Sequence, residues 1–214
     1  MSALIDNCRR FVTVTTKSKT QQVLDIARQL RVVRTRDLTR RGIPPIYLRR
    51  LYQRGLLQQS SRGLYVLPEG DQTEHHYLAQ ACKRVPHGVV CLLSALRFHG
   101  ITTQAPFQTW LAIDQKARAP KKEHPPLRIV RMSGLTLKSG VEDHKIEGVQ
   151  VRVFSPAKTV ADCFKFRNKI GLDVALEALR DYRKKHRSGM DDLWHFAKIC
   201  RVTVVMRPYL EALT

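Results

Sequence analysis

The stretch GIPPIYLRRLYQRGLLQQSSRGLYVLP, residues 42–68, decides the fold reading. Ile43 and Pro44 bridge a turn to Pro45, which suits the first position of a helix because its ring presets φ and its missing N–H would be unsatisfied there anyway. Gly55 closes that helix. Leu56 to Ser60 and Leu64 to Leu67 read as two strands joined by Ser61-Arg62-Gly63, with Pro68 as the stop. At roughly 100° per residue, Tyr47, Leu48, Leu51 and Tyr52 share one arc of the helix, and Ile46, Arg49, Arg50, Gln53 and Arg54 fill the other. One face is built to pack and the opposite face is almost all Arg and Gln.

Working outward, Val23, Leu24, Ile26, Ala27 and Leu30 repeat at helical spacing, with Thr20 as the expected N-cap. Val32-Val33 is a short β-prone pair. Thr35 opens a second helix, with Asp37 in the first turn where a carboxylate suits the dipole, and Gly42 ends it. Helix, short helix, tight turn, helix and hairpin in this order predict a winged helix-turn-helix over residues 20–70. In that arrangement a recognition helix needs an apolar back and a front that reaches phosphates and base edges. Arg can contact guanine bidentately, Gln can pair with adenine, and Ile46 suits a thymine methyl. The expected double-stranded DNA readers are Arg36, Arg40, Arg41, Ile46, Arg49, Arg50, Gln53 and Arg54, with Arg62 as the contact of the hairpin tip.

The charge balance supports a polyanionic partner. Lys and Arg number 38 against 18 Asp and Glu, a net +20, and such an excess repels itself unless an anion relieves it. Between Arg31 and Arg62 there are nine Arg and one acid, Asp37. A membrane partner is not expected, because the longest apolar run, Val89 to Leu93, is far short of the ~20 residues that span a bilayer. Residues 1–20 carry Arg9, Arg10, Lys17 and Lys19 without an apolar core, so no secretory signal and a cytoplasmic location are expected. Five widely spaced cysteines without a CxxC suit reduced thiols.

Glu69-Gly70-Asp71 is a polar break, and residues 75–214 read as a second, mixed α/β domain, giving an α/β (α+β) two-domain chain. Leu92 to His99 reads as a helix ending at Gly100. Trp110 to Ile113, Leu127 to Arg131, Lys145-Ile146 and Val149 to Phe154 read as strands, the last two joined at Glu147-Gly148. Ser155 is expected to cap a helix with Pro156 at its first position, and Leu172, Ala175, Leu176, Leu179 and Tyr182 mark another. Lys121 and Lys122 in a basic loop, and Arg183, Lys184, Lys185 and Arg187 in the cationic run that ends that last helix, form a candidate second basic surface.

Two chemistries compete with plain binding. Asp143-His144-Lys145 with Asp114 imitates a nuclease site in which carboxylates hold a metal and Lys stabilises charge. Cys82, His87, Cys91 and His99 are zinc-ligand types, though at spacings that fit no ordinary finger. No P-loop, GxGxxG or GxSxG is present, and Ser155 and Asp162 read as a helix cap and a surface or salt-bridged acid. No catalytic residue, metal or cofactor is assigned.

Residues 42–68, together with LLSALRFHGI at 92–101 and SPAKTVADCF at 155–164, resemble the AbiEi-type antitoxins of bacterial type IV toxin–antitoxin (abortive infection) systems. The similarity runs from about Gln21 to the helices after Phe164. It implies a bacterial repressor of its own operon acting through the winged helix. It also implies a C-terminal domain that counters a nucleotidyltransferase-class toxin without a stable complex. A stand-alone regulator with no toxin is the alternative within the same resemblance, and a nuclease the alternative outside it.

Overall fold

The computed structural model describes residues 18–68, 74–120 and 125–212. The N-terminal elements are α1 (Lys19–Leu30), β1 (Val32–Arg34), α2 (Thr35–Thr39), α3 (Ile46–Gln53), β2 (Gln58–Ser61) and β3 (Leu64–Val66). The strands form an antiparallel sheet in the order β1-β3-β2, so the expected hairpin gains Val32-Val33 as its third strand. The element order is that of a winged helix-turn-helix.

Three local details differ from expectation. Ser18, not Thr20, caps α1, its hydroxyl accepting from the Gln21 N–H at 3.2 Å. Pro45 stands one residue before the first helical position of α3. The first strand begins at Gln58 rather than Leu56, because the backbone of Leu56 is used to close α3. The N–H groups of Gly55 and Leu56 donate to the carbonyls of Tyr52 and Leu51, both at 3.0 Å. This closure needs a left-handed residue, and Gly55 supplies it at φ 70°.

Val23, Ile26, Ala27, Val33, Leu38, Ile43, Leu48, Leu51 and Leu57 make one helical core. Strand side chains alternate between faces, so Val32 points the other way from Val33. With Leu64 and Val66 it packs against Leu78, Ala79 and Cys82 of α4 (His76–Arg84).

The remaining elements are β4 (Val89–Val90), α5 (Leu92–His99), β5 (Thr109–Asp114), β6 (Leu127–Met132), α6 (Leu135–Lys138), β7 (Val141–Ile146) and β8 (Val149–Phe154). They are followed by α7 (Pro156–Lys165), α8 (Arg167–Ile170), α9 (Leu172–Lys185), α10 (Met190–Cys200) and α11 (Thr203–Glu211). A mixed sheet runs β6-β5-β4-β8-β7, with β4–β8 and β5–β6 parallel and the other neighbours antiparallel. Strands β7 and β8 meet at Glu147 and Gly148, both at positive φ (50° and 73°), as a two-residue turn matched to strand twist requires.

One face of this sheet, with Leu111, Ile113, Val149, Val151 and Val153, is covered by α4 and, beyond it, the small sheet. The other face, with Trp110, Ala112, Val130, Met132 and Phe154, is covered by α5, α7, α9, α10 and α11. Polar contacts also join the N-terminal unit to the large sheet. Asp37 pairs with Lys83 at 2.7 Å, and Ser60, Gln80, His76 and Glu147 form a hydrogen-bonded chain.

The polar break at Glu69-Gly70-Asp71 lies outside the described residues. Because Val32, Leu64 and Val66 are buried against α4, truncation after Pro68 is expected to uncover them. Such a fragment should bind a hydrophobic dye and unfold less cooperatively in urea than the full chain. Equal cooperativity and no dye binding would show that the small sheet does not need its cover.

At the start of α7 the expected Ser155 cap is not made: the hydroxyl does not bond to the first turn. The Thr159 hydroxyl instead donates to the Phe154 carbonyl at 3.1 Å. Asp162, expected as a surface or salt-bridged acid, is fully buried and paired with fully buried Lys158 at 2.5 Å.

Candidate nucleic-acid interface

Helix α3 is held by Leu48 and Leu51, both 1% exposed, and it turns Ile46, Arg49, Arg50, Gln53 and Arg54 outward. Ile46 is 46% exposed, an apolar contact left in water between arginines. Arg50 leans over the Tyr47 ring at 5.5 Å, which fixes part of its stem without using its donors. Tyr52, expected on the packed arc, is 47% exposed and meets Tyr65 edge-on at 6.4 Å. It sits at the arc's margin, so only its ring flank is covered.

On α2, Arg36 and Arg40 are exposed one turn apart. Arg41 is exposed too and spends one donor on the Asp37 carbonyl at 3.1 Å. Arg62 is exposed in the two-residue turn between β2 and β3. A Cβ on the adjacent Gly63 would lie 3.8 Å from the Thr35 hydroxyl, so the turn stands beside the start of α2. The hairpin is short, and its tip lies close to the helices rather than on a long arm.

Asp37 is the one carboxylate in this segment, and it is withdrawn from the surface. Burial opposes its charge, but the hydrogen bonds from Lys83 and the Arg34 N–H and the charges of Lys83 and Arg36 outweigh that. They hold its pKa below the ordinary carboxylate value. Lys83 thus takes up the one carboxylate of α2, and α3 carries no acid.

The second basic surface is less uniform. Lys121 and Lys122 lie outside the described residues. Lys185 donates to the carbonyls of His99 and Gly100, capping α5. Lys184 pairs with Asp181 at 3.0 Å, Arg183 is half-buried with one nitrogen 4.0 Å from the Met190 sulfur, and Arg187 is exposed. Arg180, which the sequence reading did not single out, joins Arg183, Lys184 and Arg187 around one open cavity of about 550 Å³. The i, i+3, i+4, i+7 spacing of these four cations was the available signal.

Residues 21–68 match the model of a family described as "Transcriptional regulator, AbiEi antitoxin". That match covers 48 of the 214 residues, all in the N-terminal unit. A crystal structure of the RV2827C protein from Mycobacterium tuberculosis is similar over 70% of this chain, at 16% identity and a TM-score of 0.50. This chain spans 61% of that structure's length, and the likeness is one of fold. No curated protein matches the chain. No helix among the described residues is long and apolar enough to cross a membrane.

The competing chemistries find no assembled site. Asp114 ends β5 and Asp143 lies on β7, three strand spacings apart in the sheet, or about 14 Å. That is too far for one metal, and Asp143 accepts from Gln150 at 3.0 Å. Cys82 and Cys91 are buried thiols whose pKa values burial pushes up, to about 12 for Cys82, the reverse of what a metal-binding thiolate needs. His99 is spent on the Phe154 carbonyl at 2.7 Å. Among the described residues, no three His, Cys, Asp or Glu side chains are grouped to hold a metal ion.

Proposed function

We propose that this chain is a transcriptional autorepressor that grips its own promoter through α3, α2 and the hairpin turn. In this reading it is the antitoxin of a type IV system, countering a nucleotidyltransferase-class toxin through residues 75–214 without a stable complex. The observation that carries the DNA reading is the exposed face of α3. It presents three arginines, a glutamine and an isoleucine on one side of a helix anchored by Leu48 and Leu51, with no acid in that helix. The family match supports a regulator of the antitoxin class. The operon, the toxin and the division into two domains are parts of the proposal.

Ile46, Arg49, Arg50 and Gln53 lie at i, i+3, i+4 and i+7, so Arg50 and Gln53 are central to the face. Arg50→Ala and Gln53→Ala should each cost about 1–3 kcal/mol and relax sequence preference, because each removes a paired contact to a base edge. Arg62→Ala should weaken all sequences alike, as loss of a phosphate contact does. Footprints on the protein's own promoter, compared with a scrambled fragment, check this. Unchanged footprints for both α3 variants would mean that another element reads the sequence. Growth rescue on co-expression with a toxin encoded beside the gene tests the antitoxin role.

A further inference from the structure

Away from the winged helix, a second cavity of about 550 Å³ opens where α6, α7 and α10 meet. Lys165 at the end of α7, Lys198 in the last turn of α10 and Arg201 just after it all line this cavity. None of the lining residues is acidic. All three cations are exposed, and among the described residues none of their side chains forms an ion pair or hydrogen bond. This differs from the α9 cavity, where Lys184 is already paired with Asp181. Three like charges from separate positions facing one hollow repel each other until an anion arrives.

The other walls say what kind of anion fits. Leu135, 69% exposed, and Ile199 offer apolar surface beside the cations. Ser133 and Thr136 line the same space, and the Thr136 hydroxyl donates to the Ser133 carbonyl at 2.7 Å. A volume of this size holds a small ligand rather than a lone ion.

Arg201 adds a separate observation. Helices α3, α5 and α10 end in the same closure, with a left-handed residue bonding back three positions and the next residue bonding back five. In α3 and α5 the left-handed position is Gly55 and Gly100; in α10 it is Arg201, at φ 59°. An arginine thus stands where the fold itself favours glycine.

The geometry points to a binding site for a phosphorylated small molecule of nucleotide size, its phosphates held by Lys165, Lys198 and Arg201 and its apolar part laid against Leu135 and Ile199. The cavity lies on the side of the large sheet opposite α4 and the small sheet, so its ligand is separate from DNA held on α3.

Titration calorimetry of the full chain with ATP, adenosine and a ten-nucleotide oligo-dT tests this at about 150 mM salt, where charges more than ~8 Å apart are screened. ATP should bind once and saturably, and adenosine should bind much more weakly. The pair Lys198→Gln and Arg201→Gln should weaken ATP at least about tenfold. An equal charge loss elsewhere on the surface, Lys169→Gln with Arg207→Gln, should leave ATP binding unchanged. Arg201→Gly is the sharper variant, since it should weaken ATP while keeping or raising the melting temperature. Three results would overturn the assignment: equal loss in the two double variants, equal binding of adenosine, or an effect of Lys198→Gln and Arg201→Gln on oligo-dT alone. The last would assign these cations to a nucleic-acid strand instead.

Discussion

Lys158→Met is expected to lower the unfolding free energy by about 3–5 kcal/mol, the cost of leaving one member of a buried ion pair without its partner. Lys158 and Asp162 are both fully buried in α7, one turn apart, with the ammonium 4.2 Å above the Phe154 ring. The second carboxylate oxygen of Asp162 accepts from the Cys200 thiol at 3.2 Å, a weak donor that cannot replace a cation. Burial pushes the Asp162 carboxyl upward in pKa, against the pull of Lys158. Without the lysine the upward push of burial is opposed only by the Cys200 thiol and the charge of Lys165. A carboxyl raised in the folded state contributes stability below its unfolded pKa and loses it as pH rises through the folded value. The variant should therefore be most stable in acid and weaken toward neutral pH. Lys158→Met with Asp162→Leu should recover most of the loss, since an apolar pair of similar volume removes both desolvation costs. Urea unfolding at several pH values measures all of this. A single variant within about 1 kcal/mol of the parent, or a double variant no better than the single, would sink it. Because α7 covers the face of the large sheet away from the winged helix, DNA affinity per folded molecule should not change.

What was legible in the chain follows from how local each signal is. Gly55 and Gly100 marked helix ends because a left-handed residue at that position is a local requirement. Glu147-Gly148 marked a hairpin for a similar reason. The division of α3 between Leu48 and Leu51 on one side and Arg50 and Gln53 on the other survived because periodicity is a property of the helix alone. Tyr52 failed because an aromatic at the margin of an arc can lean outward, and its partner Tyr65 is thirteen residues away. Helix α4 and the two-residue strand β4, Val89–Val90, had no clear local signature. Both are defined by tertiary context: β4 is the centre of the large sheet, and α4 lies between that sheet and the small one. The salt-bridged reading of Asp162 held, but its burial was not legible for the same reason. Sequence spacing places Lys158 beside Asp162, but only the helices around α7 decide that no water reaches them. The cavity of Lys165, Lys198 and Arg201 was not legible at all, since it needs two helix ends far apart in sequence.

DNA affinity is expected to fall about a thousandfold between 50 and 200 mM salt, the loss that goes with six neutralised phosphates. Arg36, Arg40, Arg41, Arg49, Arg50, Arg54 and Arg62 are the exposed cations of the proposed contact surface, so six contacts require nearly all of them. Each cation that meets a phosphate releases condensed counterions, and the slope of log affinity against log salt is about −0.9 per contact. The net charge of +20 alone would give some salt dependence on any DNA, so the slope must be tied to this surface. Arg62→Ala should make it shallower by about one, on promoter and scrambled DNA alike. Gln53→Ala carries no charge change, so it should lower promoter affinity while leaving the slope as it was. Fluorescence anisotropy across a salt series separates these effects. A slope near zero would remove the electrostatic basis for the DNA reading. A steep slope untouched by Arg62→Ala would move the contacts elsewhere, with the end of α9 the first place to look, because Arg180, Arg183, Lys184 and Arg187 line one cavity there.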